Sequence, residues 1–136
     1  MDKVSLVAKA IDAREFAYVP YSNFKVGAAL LAKSGKIYNG CNIESASYTP
    51  TCCAERTAFL KAVSEGEREF VAIAVVGGYN QDLKDYCYPC GVCRQVMMDF
   101  CDPNSFKIIV AKDQTQLKEH LLKEILPYGF GPDDLK

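Results

Sequence analysis

The 136-residue chain predicts an α/β fold built on a mixed sheet of about five strands. Three observations carry that expectation. Helical and strand periodicities alternate along the chain, a glycine turn joins two apolar runs as an antiparallel hairpin, and a strand–helix–strand succession calls for a parallel pair.

The elements follow in order. Val4, Val7, Ala8, Ile11 and the Phe16/Ala17 pair recur at helical spacing, predicting a first helix from Val4 to Ala17 that Pro20 stops. The runs Val26 to Ala32 and Ile37 to Glu44, separated by Ser34-Gly35, predict two antiparallel strands. Thr51 to Ser64 returns to helical spacing, with Ala54, Ala58, Phe59, Ala62 and Val63 along one side and Gly66 as a stop. Phe70 to Val76 is an unbroken apolar run ending at Gly77-Gly78, as expected of a central strand covered on both faces. Tyr79 to Tyr88 reads as a loop. Pro89 leads into a helix from Cys90 to Cys101, which Asp102-Pro103-Asn104 ends before a strand from Phe106 to Ala111. Leu117 to His120 reads as an edge strand and Leu121 to Leu126 as a short helix. With no linker and no internal repeat, residues 1–136 are expected to form one domain.

Composition narrows the function. The 16 basic residues are scattered among 17 acidic ones for a net charge of −1, so no footprint for a nucleic acid or an anionic membrane is present. A small, weakly charged substrate is expected instead. Met1 to Ser5 leads straight into an amphipathic pattern with no basic-then-apolar leader, which predicts a cytoplasmic protein.

Seven cysteines form an odd, high count that fits a closed disulfide set poorly and metal binding well. Two clusters stand out, Cys53-Ala54-Glu55-Arg56 and Pro89-Cys90-Gly91-Val92-Cys93-Arg94, each at the first turn of a predicted helix. Cys90 and Cys93, three apart, can share a metal, and Cys53 supplies a third sulfur. Three protein ligands on zinc leave the fourth tetrahedral position to water, and Glu55 is a carboxylate placed to move that water's protons. Three thiolates also leave surplus negative charge, which opposes acidifying the water. Two helix N-termini and the guanidinium of Arg56, ahead of that of Arg94, are the groups expected to offset it.

These features coincide with the zinc deaminase signature of a three-cysteine or His/Cys/Cys metal site, a glutamate that is not a ligand, and Pro-Cys-x-x-Cys. The chain resembles the small homotetrameric cytidine deaminases. The resemblance begins at Tyr21-Ser22-Asn23-Phe24-Lys25-Val26-Gly27-Ala28-Ala29-Leu30. It continues through Cys41-Asn42-Ile43-Glu44, Cys53-Ala54-Glu55-Arg56-Thr57-Ala58 and Pro89-Cys90-Gly91-Val92-Cys93-Arg94-Gln95.

That resemblance implies a three-layer α-β-α arrangement of the sheet, one Zn²⁺ per subunit, and hydrolysis of cytidine and deoxycytidine to the uridines and ammonia in pyrimidine salvage. It also implies that Asn42 and Glu44 hold the ribose 3′-hydroxyl, that Phe24 packs on the pyrimidine, and that Ala46 and Tyr48 line the pocket. The Ala54 backbone would meet the base edge, Phe130 would cover the base in a neighbouring subunit's site, and Glu55 would protonate N3 and then the leaving amino group. Tyr88, where a small residue is expected, and the long loop from Gly78 to Cys87 depart from the pattern.

Competing readings exist for several of these residues. Cys87 with Cys53, Cys90 and Cys93 would close a structural four-sulfur zinc site in a binding module, and Cys52 competes with Cys53 as a ligand. An iron–sulfur run needs a fourth cysteine soon after Cys93, and Cys101 is too late. A redox Cys-x-x-Cys pair would leave Cys53 and Glu55 unexplained. Cys41, Cys52 and Cys101 read as small buried hydrophobes, and His120, the one histidine, as a surface residue. A deaminase of a nucleoside antibiotic such as blasticidin S would share the zinc core.

Overall fold

Asp2 starts the first helix: its Oδ1 accepts the Ser5 N–H at 3.1 Å, and α1 runs Lys3–Arg14. The computed structural model describes residues 1–136. Along the chain follow β1 (Lys25–Ala32), β2 (Ile37–Cys41), α2 (Ala54–Ser64), β3 (Phe70–Gly78), α3 (Gly91–Phe100), β4 (Lys107–Ala111), β5 (Leu117–Leu121), α4 (Leu122–Ile125) and a 3₁₀ turn at Pro132–Leu135.

The strands hydrogen-bond in the order β2-β1-β3-β4-β5. Only β3 and β4, joined through α3, pair in parallel; the other three pairings are antiparallel. Alternate residues of β1 face opposite layers, as the pleat requires. Val26, Ala28, Leu30 and Ala32 pack with Ala54, Ala58, Phe59 and Ala62 of α2. Ala29 joins Leu6, Val7 and Ala10 of α1 on the other side. The expected three-layer α-β-α arrangement is therefore present. At the centre of the α2 layer, Phe59 is fully buried, with Phe70 edge-on at 5.1 Å and Phe106 at 6.1 Å.

Several boundaries differ from the sequence-based expectation, among them the start of α2 at Ala54 instead of Thr51 and the end of β3 at Gly78 instead of Val76. The first helix stops at Arg14, short of Ala17, and Phe16 lies 80% exposed. Beyond the helix the backbone takes another partner: Tyr18 N–H donates to Asn42 O, and Glu44 N–H donates to Tyr18 O. The buried stripe is also rotated, to Leu6, Val7, Ala10, Ala13 and Arg14, with Val4 exposed. The second strand likewise ends at Cys41. Asn42 and Glu44 lie past it, in a segment where only Ile43 makes isolated bridges, to Tyr18 and Cys52. The strand of Leu117–Leu121 and the one-turn helix after it match their expected places.

One close approach matters for the site. A Cβ on Gly40 would stand 2.3 Å from Ala54 O and 2.6 Å from Ala58 N. Glycine there lets the first turn of α2 lie directly on β2. No helix is long and apolar enough to cross a membrane.

Candidate metal centre and active site

Cys53 and Cys90 occupy the N-cap positions of α2 and α3, and neither side chain makes a capping hydrogen bond. Ser, Thr, Asp or Asn at an N-cap is worth about 1 kcal/mol to a helix, so cysteine at both ends gives up local stability for another use of the side chain. Cys93 follows in the first turn of α3, buried at 1%. The three sulfurs lie within 4.8 Å of one another.

The donor set fits zinc. Tetrahedral Zn–S bonds of about 2.3 Å put ligand sulfurs roughly 3.8 Å apart. Cys53 Sγ and Cys90 Sγ are separated by 3.7 Å. Both helices present their N-terminal amides to this point, so each contributes partial positive charge where thiolate charge gathers. Backbone pairing fixes Cys53: Ile43 and Cys52 exchange both N–H···O bonds, at 3.0 and 2.9 Å, and hold the strand end that leads into α2.

Arg56 is the group that reaches the sulfurs. Its Nη2 lies 3.6 Å from Cys53 Sγ and donates to Thr51 O at 3.2 Å. The Cys93 thiol first, then Arg56 and Cys90, hold the Cys53 thiol below its ordinary range, which favours its thiolate form. Cys93 moves the other way, raised by its hydrogen bond to Cys53 and by burial. Arg94 does not share this task. It donates to Pro89 O at 2.7 Å and to Ile125 O, bracing α3 against α4.

Glu55 lies two residues beyond Cys53 in the first turn of α2 and is 4% exposed. Burial raises its carboxyl to about 7, with the Cys53 charge adding and its own backbone N–H and Arg56 opposing. A buried carboxyl poised near neutrality beside a three-thiol cluster has the properties of a proton carrier.

Cys87 stands outside the three-sulfur group. It packs under Gly77, whose added Cβ would meet its Sγ at 2.8 Å, and burial pushes its thiol up to about 12. Cys87 is therefore a packing residue, and the geometry favours the three-sulfur group over the four-sulfur alternative. Cys52 is also outside the group and acts through its backbone.

The remaining expected site residues fall into two places. Phe24 meets Tyr79 edge-on at 4.9 Å, and both line a cavity of ≈ 160 Å³. Glu44 and Tyr48 line another of ≈ 410 Å³ with Tyr21, Ser22 and Thr51. Tyr48 sits there at φ 66°, an uncommon conformation for a bulky residue. Ala46 is exposed in the same loop, Ala54 is fully buried, and Phe130 is 57% exposed, its carbonyl held by Gln95 of α3.

Asn42 has a structural duty the sequence did not reveal. Its Oδ1 accepts from Val26 N–H at 2.9 Å and its Nδ2 donates to Phe24 O at 2.8 Å, so one amide fixes the backbone on both sides of Lys25. Glu44 Oε1 accepts from the N–H groups of Tyr21 and Ser22, both at 3.1 Å. Ser22 holds its carboxyl below the usual range, through its side chain first and its backbone second. Two residues that drew no notice in the sequence make contacts here, Arg14, whose Nε donates to Lys25 O, and Tyr79 against Phe24; Tyr88, noted only as a departure from the pattern, places its Oη 2.9 Å from His120 Nε2. Arg14, the one polar residue in the stripe of α1, is the only one with a readable signal.

The chain is similar to known proteins in sequence and fold. Residues 2–109 match the family described as the cytidine and deoxycytidylate deaminase zinc-binding region. A cytidine deaminase of Halalkalibacterium halodurans is 51% identical over 135 residues, covering 99% of this chain and 98% of its own. One from Sporosarcina psychrophila is 49% identical, covering 99% and 96%. Among solved structures, the cytidine deaminase of Burkholderia pseudomallei superposes with a TM-score of 0.87 at 44% identity, covering 96% of this chain and all of that one. On the match to the family, the identity along nearly the whole length and the shared fold, the chain belongs to the cytidine and deoxycytidylate deaminase family.

Proposed function

We propose that the chain is a zinc-dependent deaminase of cytidine and deoxycytidine, yielding uridine or deoxyuridine and ammonia. The observation that carries this is the three-thiol cluster at two helix N-termini with Glu55 buried beside it. The relatives at 49% and 51% identity are cytidine deaminases, which favours that substrate over a nucleoside antibiotic.

Zinc, when bound, acidifies a water and so supplies a nucleophile near neutral pH. Cys53, Cys90 and Cys93 would hold it. Glu55 would move the protons, passing one from the attacking water to pyrimidine N3 as C4 is attacked and the remaining hydroxyl proton to the departing amino group. Atoms balance as nucleoside plus water giving the 4-oxo nucleoside plus ammonia. Arg56, whose Nη2 lies 3.6 Å from Cys53 Sγ, would draw charge from that sulfur and so lessen its donation to the metal.

In this reading Phe24 packs on the base, the Ala54 backbone meets its edge, Ala46 and Tyr48 line the pocket, and Asn42 and Glu44 take the ribose 3′-hydroxyl. Asn42 keeps one N–H and one lone pair beyond its two backbone bonds, and Glu44 keeps Oε2. Phe130 projects from its own subunit while Gln95 Nε2 holds its carbonyl at 2.7 Å. That exposure supports a homotetramer in which Phe130 covers a neighbour's site. All 136 residues act as one domain, in the cytoplasm, in pyrimidine salvage.

The test is Glu55→Gln, with bound zinc and ammonia release from cytidine measured together. We expect zinc retained and turnover reduced by about 100-fold or more. Retained zinc with near wild-type turnover would sink the proposal.

A further inference from the structure

Arg14 is 3% exposed, and none of the chain's ion pairs involves it. A buried cation without a carboxylate is costly, and burial accordingly lowers the affinity of its guanidinium for the proton. Its donors go to three backbone carbonyls. Nε donates to Lys25 O at 3.0 Å, and Nη2 donates at 2.7 Å to both Gly78 O and Asn80 O.

Those carbonyls bracket two aromatic side chains. Gly78 O and Asn80 O lie on either side of Tyr79, and Lys25 O follows Phe24, whose own carbonyl is held by Asn42. Phe24 and Tyr79 then meet edge-on at 4.9 Å and line one cavity of ≈ 160 Å³. Nothing else in the chain ties β1, the end of β3 and the loop after it to a single side chain. The helix comes close enough to do so because Gly27 lacks a side chain: a Cβ there would stand 2.1 Å from Ala10 O and 2.6 Å from Arg14 N.

We propose that Arg14 is a positioning residue which, from behind the sheet, sets Phe24 and Tyr79 as one aromatic wall of the nucleoside pocket, making Tyr79 a substrate-binding residue. The proposal rests on the functional reading above, in which Phe24 packs on the base. Only arginine offers a planar fork that serves carbonyls from two chain segments at once; lysine keeps the charge but offers a single point. Since the wall touches the base and not the reacting atoms, its displacement weakens substrate binding and leaves the chemical step alone.

The experiment measures KM and kcat for cytidine, zinc per chain and the thermal midpoint in Arg14→Lys, Tyr79→Ala, Tyr79→Phe and the double variant Arg14→Lys/Tyr79→Ala. Arg14→Lys is expected to raise KM about tenfold, with kcat within about twofold and zinc unchanged. Tyr79→Ala raises KM several-fold and Tyr79→Phe restores most of the loss. The double variant is no worse than the weaker single one, because both act on the same wall. Additive effects, or an unchanged KM in zinc-loaded Tyr79→Ala, overturn the proposal. Tyr79 is 69% exposed, so its variants are read alone if Arg14→Lys does not fold. A wild type inert on cytidine overturns the functional reading and this one with it, whereas an active wild type whose KM ignores Tyr79 overturns this one only.

Discussion

Arg56 and Cys53 face each other at 3.6 Å, guanidinium to sulfur, at the point where α2 begins. The contact joins the one cation in the first turn of α2 to the thiolate of the metal cluster. Without it, three thiolates leave the zinc too electron-rich to acidify water well. Arg56→Gln should therefore keep most of its zinc and lose about 10- to 100-fold in kcat, a loss read by steady-state ammonia release alongside metal analysis.

Ligand identity is tested by single serine substitutions. Cys53→Ser, Cys90→Ser and Cys93→Ser should each purify with well under one zinc per chain, because each sulfur belongs to the group spaced within 4.8 Å. Cys87→Ser should retain zinc, since its thiol packs under Gly77 and stands outside the three-sulfur group. Loss of zinc from Cys87→Ser, seen by elemental analysis, would restore the four-sulfur site.

Glu55 gives a pH dependence in zinc-stripped protein. Its folded value of about 7 lies above the ordinary glutamate value near 4.3, so the fold favours the neutral form. The stabilisation it contributes is complete below about pH 4 and is lost as pH rises through about 7. Glu55→Gln stays neutral. At pH 8 the stripped variant should exceed stripped wild type by about 2–4 kcal/mol in urea unfolding, with no difference at pH 4.

Gly40→Ala probes how α2 is seated. The added methyl meets Ala54 O at 2.3 Å and Ala58 N at 2.6 Å, both rigid backbone. We expect about 1–3 kcal/mol of destabilisation and a lower zinc affinity, because the helix start that carries Cys53 must move. A variant with unchanged thermal midpoint and zinc affinity would contradict this seating.

The sequence by itself determined the order of elements, the mixed sheet and the cysteines from which the metal cluster is drawn. Apolar runs such as Phe70 to Val76 are buried whatever surrounds them, and cysteines three apart at a helix start can share an ion wherever the helix lies. Tertiary structure alone decided the rest. The first helix ended at Arg14 because Tyr18 found backbone partners at Asn42 and Glu44, which lie far along the chain. Cys87 and Arg94 carry the right chemistry, yet one packs under Gly77 and the other braces α4. Asn42 and Arg14 each bind backbone carbonyls, and a carbonyl leaves no mark in the identity of its residue. Local patterns record which groups can bind a metal or fill a core. Which groups meet across the sheet is set by long-range pairing, and no spacing along the chain encodes it.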